Sequence, residues 1–144
     1  MWWSKAAEHV TTFEEDSRWI NTFMSRVGAN VEAHSLPSGL KGKELRVAIS
    51  EKLNNTRALF DIVIVDAMHR ETLTEMAFEL VSEDGMVMVD NSEGYDTYEI
   101  TKAKKYLRID FIGPANGVSS QHATSLFFKG NCPYLSCQHP IRWD

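Results

Sequence analysis

No apolar run in this 144-residue sequence approaches the roughly 20 residues needed to span a bilayer, so it offers no candidate transmembrane helix. The first residues also lack the basic segment, apolar core and small-residue cleavage site of a secretory signal. The expected compartment is therefore the cytoplasm. Cysteine is scarce, with Cys132 and Cys137 alone. Together with His139 they make an incomplete zinc set, and in a cytosolic setting they read as two reduced thiols in a terminal tail. None of the 8 glycines lies in a Gly-rich turn between a strand and a helix, which counts against a phosphate-cradling nucleotide site. Basic charge is outnumbered, with 15 Lys and Arg against 20 Asp and Glu. The net charge of -5 argues against a nucleic-acid backbone or an anionic membrane as the main partner.

What is present suits one compact α/β domain. At 43% hydrophobic and 24% charged, the chain can bury a core but is too short for two ordinary domains. The expected domain covers residues 1–130, and residues 131–144 read as an irregular tail. Its organising stretch is Phe60 to Asn91. Phe60 to Val65 is a short β-branched apolar run ending at Asp66, Glu71 to Val81 is helical, and Gly85 to Val89 is a second apolar run ending at Asp90 and Asn91. This is one βαβ unit. In open α/β sheets ligands bind beyond the carboxyl ends of the strands, so Asp66, His69, Asp90 and Asn91 should share one rim.

Around that unit the pattern alternates. Met1 to His9 looks like the later part of a helix, Val10 to Phe13 favours strand, and Ser17 to Val27 is helical with Trp19, Ile20, Phe23 and Met24 inward. Asn30 to Leu36 is a plausible strand, and Lys43 to Leu53 carries an apolar stripe at Leu45, Ala48, Ile49 and Leu53. Tyr98 to Lys104 has weak helical character. Tyr106 to Ile112 and Ala123 to Lys129 suit an antiparallel pair at a sheet edge. Trp2, Trp3, Trp19, Phe23, Phe78, Phe111, Phe127 and Phe128 are expected in the core. Ser119, Ser120 and His122 make no hydrolase triad, because no nucleophile-elbow pattern surrounds them.

Alternating strands and helices closed by an antiparallel pair resemble the class I S-adenosylmethionine-dependent methyltransferases. The implied fold is a Rossmann-like, mostly parallel sheet with an antiparallel C-terminal strand pair, lacking the usual first strand. His9 to Glu14, with Asp16 and Trp19 beyond, is similar to that family's second strand. By that match Glu14 takes the cofactor ribose, where a carboxylate accepts two charge-assisted bonds from a vicinal diol. His34 falls near the adenine, and Asp66 also touches cofactor. Val65-Asp66-Ala67 with Val89-Asp90-Asn91 is similar, more narrowly, to the divalent-metal-dependent O-methyltransferases. That likeness implies Asp66, Asp90 and Asn91 as ligands of a magnesium-like ion, with His69 as the base that takes a hydroxyl proton. A different branch carries an Asp and an Arg in this turn, matching Asp66 and Arg70, with no metal implied. Arg70, Asp90, Asn91 and Tyr95 would then face a small-molecule acceptor.

The resemblance also implies a first strand and a Gly-rich loop ahead of the helix containing Trp2 and Trp3. The sequence read here starts after them, so the expectation is a truncated or rearranged domain. Pairing of Val10 to Phe13 directly with Ile62 to Val65, or self-association into a homo-oligomer, would cover the exposed strand edges. The alternative to an enzyme is a methyltransferase-like protein that no longer binds the cofactor and acts as an association module.

Overall fold

The computed structural model describes residues 3–53, 59–94, 106–114 and 120–129. Tyr95, the helical segment Tyr98 to Lys104, Cys132, Cys137 and the 131–144 tail lie outside the described residues. Backbone contacts divide the chain into two compact units, Met1–Thr56 and Arg57–Asp144.

In the first unit the order is α1 (Trp3–Ala6), β1 (Val10–Glu14), α2 (Ser17–Met24), β2 (Val31–Ser35) and α3 (Gly42–Lys52). β1 and β2 pair in parallel, from Val10 opposite Val31 to Glu14 opposite Ser35, so α2 is the crossover a parallel pair requires. Asp16 starts α2 by accepting the Arg18 amide at 2.9 Å, a cap worth about 1 kcal/mol. Asn30 finishes α1, its side-chain amide donating to the carbonyls of Ser4 and Ala7 at 3.0 and 2.9 Å. In α3 the i, i+4 pair Leu45 and Ile49 is buried. Phe23 of α2 is buried as expected, but Trp19 and Met24 are 62% and 40% exposed rather than inward. The helix is only eight residues long and faces a two-stranded sheet, too narrow to cover all four apolar side chains.

The second unit contains β3 (Phe60–Val65), α4 (Arg70–Leu80), β4 (Val81–Val89), a 3-10 turn (Ser92–Gly94), β5 (Leu107–Pro114) and β6 (Gln121–Phe128). The sheet order is β3-β4-β6-β5, with β3 and β4 parallel and the other two ladders antiparallel. Val10 to Phe13 takes its partner from β2, and Ile62 to Val65 takes its partner from β4. Strand alternation sorts the side chains. Val65, Val87, Val89 and Phe127 pack with Ala77, Phe78 and Val81 into the core under α4. Phe78 stacks on Tyr106 at 4.5 Å and meets Phe127 edge-on at 5.4 Å. Each such side chain contributes about 1.5–3 kcal/mol of burial.

β4 starts at Val81, four residues earlier than its apolar run suggests, because Val81 already pairs with Phe60 before a register shift. Gly85 sits inside that irregular segment for a steric reason. A Cβ there would lie 2.5 Å from Val81 Cγ2 and 2.8 Å from the Asp61 carbonyl oxygen. On the opposite sheet face Met86 and Phe128 pack with Ile62, Met88 and Leu126. Phe111, expected in the core, is 61% exposed. Among the described residues its strand, β5, is the last in the sheet and has a neighbour on one side only.

Candidate functional site

The carboxyl ends of β3 and β4 lie side by side, tied by the Asp90 amide donating to the Val65 carbonyl at 3.0 Å. Asp66 follows one strand, and Asp90 and Asn91 follow the other. Asn91 adopts φ 49, a left-handed conformation that asparagine tolerates better than most residues. Arg70 joins the two turns. From the first turn of α4 its Nε donates to the Asp90 carbonyl and its Nη1 to the Ala67 carbonyl. Its Nη2 donates to Asp66 Oδ1 and Asn91 Oδ1, both at 3.0 Å. A buried cation at a helix N-terminus opposes the helix dipole, and these acceptors offset that cost. Arg70 is only 8% exposed, whereas the Asp66 side chain is 67% exposed.

The rest of the rim comes from β6, whose antiparallel register with β4 sets Ser125 opposite Val89. Thr124 donates its hydroxyl to Asp90 Oδ1 at 2.7 Å. His122 Nδ1 lies 2.8 Å from Asn91 Nδ2 and 2.8 Å from Glu93 Oε1. Arg70 holds the Asn91 oxygen, so the amide nitrogen faces the ring. A neutral ring with a bare Nδ1 accepts from Asn91; a protonated Nδ1 donates to Glu93 instead. The two arrangements exclude one another. Glu93 Oε2 accepts the Ala123 amide at 2.8 Å, and this bond, ahead of the nearby His122, holds the Glu93 carboxyl below its ordinary value.

Beside the rim two buried serines, Ser92 and Ser125, lead out to the exposed Asp110. Ser125 donates to Asp110 Oδ1, because a carboxylate only accepts, and the Ser92 hydroxyl lies 2.6 Å from Ser125 Oγ and 3.2 Å from the Ala123 carbonyl, sharing its one proton between them. Burial would raise the Asp110 pKa, but the bonds from Ser125 and Arg108 outweigh it and the carboxyl lies below the usual range.

One oxygen of each side chain that the sequence offers to a divalent cation is engaged by a protein donor. Asp66 and Asn91 accept from Arg70, and Asp90 accepts from Thr124. Among the described residues no group of three or more His, Cys, Asp or Glu side chains is placed to hold a metal. Arg70 places a positive charge beside Asp66 and Asn91. His69 is half-buried ahead of α4, with no ring bond to Asp66, Asp90 or Asn91. Glu93, Thr124 and His122 escape a sequence reading because only the β4 to β6 register brings them to the rim. The even-numbered alternation of His122 and Thr124 in the last strand was the one available signal.

In the first unit, Glu14 closes β1. Its Oε1 accepts the amides of Glu15 and Asp16 at 2.8 and 3.0 Å, which fixes the carboxylate at the strand end. His34 stacks on Phe13 with ring centroids 5.2 Å apart and places Nε2 3.2 Å from Glu32 Oε1.

No family model matches the chain, and no curated protein matches it. Solved structures do. An rRNA methylase from Streptococcus thermophilus superposes with TM-score 0.61 at 11% identity, covering 89% of this chain and 77% of that one. The O-methyltransferase TomG from Streptomyces achromogenes, involved in tomaymycin synthesis and solved in complex with SAM, gives TM-score 0.62 at 19% identity, covering 90% and 66%. A precorrin-6y C5,15-methyltransferase from Geobacter metallireducens gives 0.56 at 9%, covering 84% and 68%. The chain has the class I methyltransferase fold, in which a mixed α/β sheet carries parallel strands and an antiparallel pair. It spans about two thirds to three quarters of the length of these three proteins.

Proposed function

We propose that this chain binds S-adenosylmethionine and directs its methyl group to an oxygen or nitrogen of a small molecule. The observation that carries the reading is Glu14: on this fold, an acid stands at the carboxyl end of β1 with one oxygen pinned by two backbone amides. A carboxylate so held is oriented in advance to accept the paired hydroxyls of a ribose. His34 beside Phe13 adds a ring at the end of the neighbouring strand for the base.

Bound S-adenosylmethionine would supply an activated methyl group on a sulfonium. The chain's own residues would hold the acceptor and take its proton. In this reading Asp66, Asp90 and Asn91 orient the acceptor with Tyr95, Arg70 keeps the two turns in register, and His69 receives the hydroxyl or amine proton. No step of this reading is routed through a divalent cation. The net charge of -5 favours a small molecule over RNA as acceptor, although one structural neighbour is named for rRNA.

The second reading is an association module without cofactor binding, favoured by the exposed apolar side chains of β5. Titration calorimetry with S-adenosylmethionine and its demethylated product separates the two. The enzyme reading expects saturable heat that Glu14→Gln weakens by at least about tenfold, the loss of one charge-assisted bond. No heat at millimolar ligand with the unaltered chain overturns it in favour of the module.

A further inference from the structure

We propose that β5 is a dimerisation strand through which two copies of this chain pair antiparallel about a two-fold axis at Ile109. Among the described residues β5 pairs with β6 alone and is the terminal strand of its sheet. It is eight residues long. On one surface of it Leu107, Ile109 and Phe111 are 53%, 36% and 61% exposed. A long apolar edge of this kind templates pairing with another strand.

The side-chain order selects the partner as a second copy. With Ile109 on the axis, Leu107 faces Phe111 of the other copy and Ile109 faces itself, so one surface of the joint is apolar throughout. On the other surface Arg108 of each copy faces Asp110 of the other. Opposite-charge and apolar cross-strand pairs both stabilise antiparallel ladders. Moving the axis by one residue sets Asp110 or Arg108 against its own like, and a half-step sets apolar side chains against charged ones. Only the register at Ile109 makes every one of these pairs complementary. Arg108 and Asp110 also meet within one copy at 2.7 Å, so the dimer would join two such pairs into a four-charge cluster. The like-parity register also lets the outward amides of one strand meet the outward carbonyls of the other, completing a continuous sheet across the axis. The isologous geometry closes at two copies and leaves no β5 edge to propagate.

The test is a charge exchange between copies. Light scattering on the 144-residue chain from low to about 100 µM should show the mass doubling from 16.4 kDa. Arg108→Asp and Asp110→Arg, each confirmed folded by circular dichroism, should each run as a monomer, because each sets like charges opposite one another. An equimolar mixture of the two variants should return to a dimer, since the introduced charges are then complementary. If either variant fails to fold, Ile109→Lys replaces it: it faces its own copy on the axis and should abolish the dimer. A monomeric parent chain at about 100 µM, single variants that dimerise as well as the parent, or a mixture that stays monomeric would each overturn the proposal. The outcome does not depend on cofactor binding, so it can fail while the methyltransferase reading stands.

Discussion

Arg70→Met is the perturbation that most sharply separates a structural clamp from a surface ion pair. The substitution keeps much of the side-chain volume but removes the donors to the Asp90 and Ala67 carbonyls and to Asn91 Oδ1. A buried acceptor left without a partner costs about 1–3 kcal/mol. At a rim, water recovers part of that, so the expected loss is about 2–4 kcal/mol, a large part of an ordinary domain's stability of about 5–15 kcal/mol. Asp66→Asn touches the same guanidinium from the other side. Its carboxylate is 67% exposed, so the expected loss is under about 1 kcal/mol. Native-state amide exchange at Val87 and Val89, beside a urea titration of each variant, measures both. If Arg70→Met costs no more than Asp66→Asn, the guanidinium is not what holds the two turns together.

Thr74 is fully buried in α4, and among the described residues its hydroxyl has no hydrogen-bond partner. Thr74→Val should therefore be neutral or raise the melting temperature, whereas a hidden partner would show as a fall of several degrees. Gly85→Ala should destabilise by about 1–3 kcal/mol, because the added methyl meets backbone as well as the Val81 side chain; an unchanged urea midpoint would contradict that packing. The Glu93 carboxyl is held below its usual 4.5 first by the Ala123 amide. A depressed folded value means its contribution is present above about pH 4.5 and is lost as pH falls through the folded value, so Glu93→Gln should flatten the acid limb of a stability–pH curve.

The βαβ unit was legible because its signals are local. Two uninterrupted β-branched runs flank a helical one, and each run ends in Asp66 or Asp90. The last antiparallel pair was legible from alternation at Leu107, Ile109 and Phe111. What alternation cannot give is the partner on the far side. Phe111 has the pattern of a core residue, yet among the described residues its strand is an edge, and the same uncertainty hid the exposure of Trp19. The rim was half visible for a related reason. Asp66, Asp90 and Asn91 are set by strand ends, but their state depends on Arg70 turning back across both turns and on a β6 register linking residues about thirty positions apart. Asp66 and Asp90, read from sequence as metal ligands, each turn one oxygen to a protein donor, an arginine and a threonine.

If the end of β1 receives the ribose of S-adenosylmethionine, the backbone amides of Glu15 and Asp16 report on it directly, because both donate to Glu14 Oε1. Amide chemical shifts followed by NMR while the demethylated cofactor product is titrated should move at these two positions along a saturable curve, and Glu14→Gln should remove the response. Two amides that stay fixed to millimolar ligand would contradict the claim.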